Sequence, residues 1–217
     1  MGIAVTVSRQ LGSGGENIAC KVAEELGLRI VGQEIIHEAL NAGVPQDILL
    51  ESEEGRRNWI QKALDWLDRK QGVPPSPGAL MESDSAYLST GLLSSDEYYR
   101  SVLESIIFDL TQSDDVLLVG RAGQIVFRNQ PNSFHIRIVA PLEMRIPVIE
   151  KRFNFTPEAA QRKIEDTERA RSDYLKRQYD ANIDDASLYD LCINTGKIPQ
   201  EDAVKLIVAA IKAAGLR

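Results

Sequence analysis

The feature that most constrains this chain is an apolar run followed at once by a glycine-rich turn. Residues 3–7, IAVTV, are apolar and rich in β-branched side chains, which predicts a buried strand. Residues 8–14, SRQLGSG, then provide the flexible connection, and residues 15–26 repeat apolar side chains at helical spacing up to Gly27, a typical helix C-cap. A strand, a tight turn and a helix in this order predict the first unit of an α/β fold.

The same alternation of predicted strands and helices occurs in the second half of the chain. Short apolar runs alternate there with amphipathic segments, and Thr156-Pro157-Glu158 has the residues that favour a helix start. This alternation predicts a parallel sheet covered by helices on both faces. The further strands are predicted at 29–31, 116–119, 135–139 and 191–194, and the further helices at 33–41, 142–153, 156–179 and 200–214.

Residues 45–100 follow a different pattern, which we interpret as a helical insertion forming an acceptor-side lobe or an interface. Helices are predicted at 53–70 and 95–112, separated by the proline-rich loop 72–78. Trp59 and Trp66 fall on one face of the first of these helices. Such an apolar stripe would suit a homodimer interface.

Composition limits the classes of function. The 217-residue chain has a formal net charge of −7, which does not favour a nucleic-acid-binding surface. No apolar run reaches the roughly 18 residues of a membrane span, and no signal-like segment opens the sequence, so we expect a cytoplasmic protein without membrane contact. Cys20 and Cys192 lie in apolar patterns, and we expect both to be buried, reduced thiols.

The turn after the first strand is a candidate phosphate site. Parallel sheets bind ligands outside the carboxyl ends of their strands, and a helix N-terminus there offers backbone N–H groups and a positive dipole end. The predicted nucleotide-binding residues are Gly12, Ser13, Gly14, Gly15, Glu16 and Asn17. The common pattern GxxxxGK[ST] fails, however, because Gly15 stands at the lysine position and Glu16 at the hydroxyl position. A tight turn that binds no ligand is the alternative.

Four segments together resemble one family. Residues 8–15, SRQLGSGG, resemble the signature of the cytidylate kinase-like family, which is related to the nucleoside monophosphate kinases. Residues 119–127, residues 136–141 with Arg145 and the following basic pair, and the stretches 168–174 and 189–195 agree with it in order and spacing. The resemblance covers most of the chain outside roughly 45–95.

The resemblance implies a single P-loop domain over residues 1–217, with five parallel strands, helices on both faces, a helical insertion and a lid-like helical segment at 153–182. It further implies use of ATP and Mg²⁺ and transfer of the γ-phosphoryl group to a nucleotide such as CMP or dCMP. The chain departs from the family pattern at three places. Gly15 replaces the loop lysine, Ala122 replaces an acid after the Gly-Arg pair, and Val31-Gly32 replaces Tyr-Asp.

Arginines are the candidate catalytic residues, because phosphoryl transfer needs positioned cations. Arg9 flanks the loop and could replace the lysine, although an arginine there could also pair with a surface acid. Arg121 follows a predicted strand and could hold the acceptor phosphate. Arg169 and Arg171 match the lid pattern, although a solvated face of salt bridges would also explain arginines at this spacing.

The metal ligand is left unassigned. Asp114 and Asp115 precede a predicted strand and would lie at its amino end, away from the loop.

The resemblance favours a nucleoside monophosphate kinase-like phosphotransferase, with a catalytically impaired nucleotide- or anion-binding regulatory protein as the alternative. A third hypothesis is an interaction module that uses residues 45–100.

Overall fold

The computed structural model describes residues 2–31, 111 and 114–216. The strands in this part of the chain are β1 (Ala4–Arg9), β2 (Arg29–Val31), β3 (Val116–Val119), β4 (Ser133–Val139) and β5 (Leu191–Asn194). The helices are α1 (Gly15–Leu26), α2 (Gly123–Val126), α3 (Leu142–Phe153), α4 (Pro157–Tyr179) and α5 (Gln200–Ala213), with a short 3-10 turn at Ala186–Leu188.

The strands form one five-stranded sheet in the order β2-β3-β1-β4-β5, and every described pairing is parallel. The central strand β1 pairs with β3 from Ala4 to Val7, and with β4 as far as Arg9, opposite Ile138. Because all strands run the same way, the loops after β1, β3, β4 and β5 leave the sheet at one edge. That edge is where an α/β sheet binds ligands.

One face of the sheet carries the main hydrophobic core. Val5, Val7 and Ile136 project from the sheet into this core. They pack against Ile18 and Val22 of α1, and apolar residues of α5 complete the cluster. Helix α1 therefore lies directly on the sheet, and its first turn is fixed at the carboxyl end of β1.

The opposite face is covered near β3 by the short helix α2. A Cβ added to Gly123 would lie 2.8 Å from Leu118 Cδ2 and 2.9 Å from Thr6 Cγ2, so this helix packs against the strands without room for a side chain. Thr6 and Ser8 of β1 also face this side, where they bond to His135 and Arg137 of β4. This face of the sheet therefore carries polar side chains on β1 and β4 as well as apolar ones.

Helices α3 and α4 pack on each other beside the loop that follows β1. Ile149, Ala160 and Ile164 form a small cluster with Leu11 from that loop, and all four side chains are buried. Thr156 caps α4 by accepting a hydrogen bond from Ala159 N at 3.3 Å, and Pro157 occupies the first turn. The predicted start of this helix is therefore confirmed.

The predicted fold class is confirmed, and the predicted strands and helices that fall on described residues are present. Strand β1 continues beyond the predicted residue 7 because its pairing with β4 extends to Arg9. The predictions for 33–41 and for the insertion at 45–100, including Trp59 and Trp66, lie outside the described residues. The predicted lid-like segment at 153–182 contains the 23-residue helix α4, and its lid role stays a prediction.

The prediction of two buried thiols was wrong. The two cysteines do not form a disulfide, but Cys20 is only half-buried and Cys192 is exposed. Strand β5 lies at the edge of the sheet, and its alternation turns Ile193 into the core and Cys192 away from it. Although the sequence of β5 is apolar, only the face of the strand that carries Ile193 is buried. No helix within the described residues has the length and apolar character needed to span a membrane.

Candidate active site

The loop between β1 and α1 is held by its own hydrogen bonds. Ser13 Oγ donates to the Gln10 carbonyl at 2.8 Å, and Ser13 N donates to the same oxygen at 3.2 Å. Gly12 and Gly14 have φ values of 82° and 78°, in the left-handed region that favours glycine. Thr195 Oγ1, after β5, donates to the Ser13 carbonyl at 2.8 Å. Because Ser13 gives its only hydroxyl proton to Gln10, its side chain supports the loop and has no proton left for a phosphate.

The first turn of α1 presents its backbone amides without a side-chain cap. Gly14 is the N-cap residue and makes no side-chain hydrogen bond. The early N–H groups of a helix lack partners within the helix, and together with the dipole they attract an anion. The side chain of Gln200 lies against Gly14 and accepts a hydrogen bond of 3.4 Å from Asn17 Nδ2. The predicted residues 12–17 therefore run from the loop into the first turn of α1 at the carboxyl edge of the sheet.

Arg9 crosses directly over Gly15. A Cβ placed on Gly15 would lie 2.5 Å from Arg9 Cβ and 2.9 Å from Arg9 Cγ, closer than real Cβ atoms come. No side chain fits at position 15 while Arg9 keeps this path. The glycine at the usual lysine position is thus required by the arginine at the end of β1.

The Arg9 guanidinium is buried in an ion pair with Glu16. Arg9 Nε donates to Glu16 Oε1 at 3.0 Å, and the two side chains are only 3% and 2% exposed. Arg9 Nη1 lies near the exit of β3, 3.0 Å from where a Cβ on Gly120 would be. The acid in this ion pair is therefore a buried residue of the first turn of α1. Burial fixes the position of the guanidinium between the first turn of α1 and the end of β3.

Arg121 lies in a strained turn just after β3. Arg121 and Ala122 have φ values of 57° and 53°, which non-glycine residues rarely adopt. Arg121 is buried, and within the described residues its Nε has no hydrogen-bond partner. Ala122 packs in an apolar cluster with Leu175 and Ile183. The strain and the unsatisfied donor are typical of a residue that is positioned for a ligand.

The two predicted lid arginines differ in the structure. Arg171 Nη1 donates to the backbone carbonyl of Arg9 at 2.7 Å, so α4 is bonded to the end of β1. Arg169 is exposed and forms no ion pair with the other described residues. Only Arg171 is thus brought to the loop in this conformation, and the role of Arg169 stays a prediction.

Arg145 is a site residue that the sequence pointed to only through the family resemblance. It is buried on α3, donates to the Leu11 carbonyl at 3.3 Å and forms an ion pair with Glu168. Its Nε has no hydrogen-bond partner among the described residues, and a Cβ on Gly12 would lie 3.1 Å from Arg145 Cβ. One helical turn separates Arg145 from the fully buried Ile149, and that spacing could have indicated a buried arginine.

The other acidic side chains near the sheet have structural partners. Asp115 Oδ1 accepts a hydrogen bond from Ile3 N at 2.9 Å, and Asp114 pairs with Arg29 at 2.8 Å, both at the amino end of the strands. Asp190 Oδ2 accepts from His135 N at 2.7 Å. Over residues 2–31, 111 and 114–216, no group of three His, Cys, Asp or Glu residues could hold a metal ion. A protein-only metal cage is therefore not present in this part of the chain.

Comparison with known proteins identifies the family. Residues 4–197 match the model of the cytidylate kinase-like family. This chain belongs to the cytidylate kinase-like family. The match includes the loop, the β3 exit turn and both helices α3 and α4, so the arginines described above lie within the family domain.

Two of the curated relatives are archaeal cytidylate kinases of low similarity. The cytidylate kinase of Methanopyrus kandleri is 30% identical over 111 residues, which cover 48% of this chain and 58% of the relative. That of Methanocaldococcus jannaschii is 32% identical over 106 residues, covering 48% and 59%. The chain thus spans less than two thirds of the length of these relatives. Among solved structures, an uncharacterized protein from Eubacterium ventriosum covers 98% of this chain and 99% of its own, with a TM-score of 0.68 and 18% identity. That likeness shows a shared fold.

Proposed function

We propose that this member of the cytidylate kinase-like family is a nucleotide phosphotransferase that moves the γ-phosphoryl group of ATP to a nucleoside monophosphate of the CMP or dCMP type. The observation that carries this proposal is the path of Arg9 over Gly15. A loop that had merely lost its lysine would leave that space empty or fill it with an unrelated side chain. Here the aliphatic part of Arg9, from the preceding strand, passes through the position that a side chain at residue 15 would need.

The donor phosphates would bind at the first turn of α1. Backbone N–H groups around Gly14 and Gly15 offer hydrogen bonds, and the helix dipole adds positive potential. Arg9 contributes a planar guanidinium whose orientation is fixed by Glu16, so little side-chain entropy is lost when a phosphate binds. A fixed cation in a buried site stabilises negative charge on the transferring group more strongly than a mobile surface cation does.

The remaining arginines would divide the other tasks. Arg121, in the strained turn after β3, has an unsatisfied buried Nε and would hold the phosphate of the acceptor nucleotide. Arg145 and Arg171 both bond to backbone carbonyls of the loop region, and Arg169 lies on the same helix as Arg171. Movement of α4 would bring Arg169 and Arg171 to the phosphates and exclude water during transfer.

Mg²⁺ is the cofactor that kinases of this fold use. When bound with the nucleotide, the ion would neutralise phosphate charge and orient the β- and γ-phosphates. Among the described residues at the loop, Glu16 offers the ligand type that Mg²⁺ prefers, because its Oε2 is buried and without a hydrogen-bond partner. The residues present therefore fit the ion, with Glu16 as the side chain that would hold it.

A catalytically impaired nucleotide- or anion-binding protein is the second candidate. The observation in its favour is that the Arg9 charge is already compensated by Glu16 and that the Ser13 hydroxyl proton is used within the loop. Such a site would bind phosphates without accelerating transfer. Both candidate functions predict that the site binds nucleotide phosphates, but only the phosphotransferase predicts transfer of a phosphoryl group.

A turnover assay separates them. ADP formation from ATP is measured with CMP, dCMP, UMP, AMP and GMP as acceptors, in the presence of Mg²⁺. The phosphotransferase proposal predicts ADP formation that depends on a pyrimidine monophosphate and is lost in Arg121→Gln. Binding of ATP with no acceptor-dependent ADP would favour the second candidate.

A further inference from the structure

We propose that Glu16 is the side chain that binds the divalent cation of the nucleotide, through Oε2, while its Oε1 orients Arg9. This inference rests on the proposed nucleotide-binding function. It assigns to one carboxylate the metal-binding task that common phosphate loops give to a hydroxyl residue, together with the orientation of Arg9. The experiment below distinguishes its failure from the failure of the proposed function.

The two oxygens of Glu16 have unequal surroundings. Oε1 accepts a hydrogen bond from Arg9 Nε at 3.0 Å. Oε2 is buried, and among the described residues it has no hydrogen-bond partner. A carboxylate oxygen removed from water without a donor is unfavourable, so such an atom in a native site calls for an explanation. A cation beside Oε2 would supply the missing interaction.

The position of Glu16 supports a metal role. Residue 16 follows Gly15 in the first turn of α1, where the common phosphate loop places the hydroxyl that binds Mg²⁺. A carboxylate directly at a phosphate site would repel the ligand unless cations lie between them. Arg9 supplies one such cation on the Oε1 side, and a divalent ion would supply the other.

The surroundings also predict when the ion binds. Mg²⁺ is usually held by one or two carboxylates together with substrate phosphates and water. The described part of the chain has no cluster of three acidic, histidine or cysteine side chains that could hold the ion without the nucleotide. We therefore expect the ion to bind together with the nucleotide and only weakly without it.

The test compares Glu16→Gln with Glu24→Gln. The glutamine at position 16 keeps an oxygen that can accept from Arg9 Nε and removes the charge that would bind the ion. Glu24 is an exposed carboxylate on the same helix, so its variant controls for the change in net charge. The dissociation constant of a non-hydrolysable ATP analogue is measured by calorimetry with Mg²⁺ and with EDTA.

Wild type and Glu24→Gln are expected to bind the analogue at least about tenfold more tightly with Mg²⁺, the scale on which metal-site partners act. Glu16→Gln is expected to lose that difference while binding the metal-free analogue at least as tightly as wild type. If Glu16→Gln keeps the full Mg²⁺ effect, the inference is overturned although nucleotide binding stands. If wild type binds no analogue in either condition, the proposed function fails and this inference fails with it.

A measurement on the unaltered protein covers the case in which Glu16→Gln does not fold. The protein is labelled with ¹³C at glutamate carboxyl groups, and Mn²⁺ is added with the ATP analogue. Direct binding predicts selective broadening of the Glu16 signal relative to Glu24, and only when the analogue is present. Equal broadening of the two signals would overturn the assignment.

Discussion

Arg9 occupies the volume that any side chain at position 15 would share with it: a Cβ on Gly15 would lie 2.5 Å from the Cβ of Arg9. The glycine at the usual lysine position and the arginine at the end of β1 are therefore two parts of a single arrangement. Restoring a lysine at position 15 would displace the arginine without recreating the ordinary loop. Under the proposed function, the loop would bind phosphate in a different way from the common lysine-bearing loop. The relationship between the two residues can be tested without any ligand.

A double-mutant cycle measures the relationship. Gly15→Ala is expected to lower the free energy of unfolding by about 1–3 kcal/mol, the usual cost of overpacking. In an Arg9→Gly background the same change is expected to cost less than about 0.5 kcal/mol, because the two clashing carbons are gone. The loss of the Arg9–Glu16 pair occurs in both Arg9→Gly proteins and cancels. Chemical denaturation gives the four values, and an equal cost of Gly15→Ala in both backgrounds would contradict the shared volume.

The strained turn after β3 predicts a conflict between stability and function. Arg121 has a φ of 57°, and a non-glycine residue in such a conformation costs about 1–3 kcal/mol. Glycine relieves this strain but gives the unfolded chain more freedom, so Arg121→Gly is expected to raise the free energy of unfolding by up to about 1 kcal/mol. The same variant is expected to lose acceptor-dependent ADP formation.

Thermal denaturation and the turnover assay check both halves of that prediction. Arg121→Gln serves as the matched variant, because it removes the charge and keeps the strained backbone. A marked destabilisation by Arg121→Gly would show that the arginine is there to support the fold.

The two predicted lid arginines are expected to differ in their effects on the free energy of unfolding. Arg171→Ala removes the hydrogen bond of 2.7 Å to the Arg9 carbonyl and is expected to lower the free energy of unfolding by about 1 kcal/mol. Arg169 is exposed on the same helix, and Arg169→Ala is expected to stay within about 0.5 kcal/mol of wild type. Urea denaturation of the two variants measures the difference. Equal effects would mean that the Arg171 contact does not hold α4 to β1 in solution.

His135 predicts a pH dependence of stability. Its side chain is buried between Thr6 and Ser133, and burial lowers the pKa of the imidazole below 6.5, although Asp190 acts in the opposite direction. The unfolded chain therefore takes up a proton at a higher pH than the folded chain. As the pH falls from 6.5 towards the folded pKa, the free energy of unfolding decreases, by at most about 1.4 kcal/mol per pH unit.

Unfolding measured at several pH values between 7.5 and 5 tests this. His135→Gln cannot take up that proton, so its stability is expected to decline less steeply with falling pH than that of wild type. Parallel curves for the two proteins would contradict the assignment of a lowered pKa to His135.

The local pattern of the sequence was sufficient to predict most of the described fold. The apolar run before the glycine turn gave β1, and Thr156-Pro157 marked the start of α4, because both signals depend on neighbouring residues only. Contacts between distant residues could not be predicted in this way. The exposure of Cys192 follows from the place of β5 at the sheet edge, which strand propensity does not encode.

The individual residues of the candidate site could be predicted from the sequence, but the contacts between them could not. Arg9 and Glu16 were each singled out, but the reason for their joint burial is the path of one side chain over Gly15, which only the backbone geometry reveals. Arg145 shows the same limit, because its bond to the Leu11 carbonyl joins α3 to a loop far away in sequence. Arg9, Arg145 and Arg171 lie on three different elements and meet at the loop only when the sheet is assembled.

The most direct test of the central claim is the binding of metal-free ATP to wild type, Glu16→Gln and the double variant Arg9→Gln/Glu16→Gln. Glu16→Gln and the double variant differ only at position 9. Both carry an uncharged glutamine at position 16, so neither contains a buried glutamate that lacks Arg9. In EDTA, calorimetry is expected to show binding to wild type and Glu16→Gln, and a loss of about tenfold or more in the double variant, the scale of a charged hydrogen bond. Equal affinity of Glu16→Gln and the double variant, or no binding to wild type, would contradict the role of Arg9 as the cation of this loop.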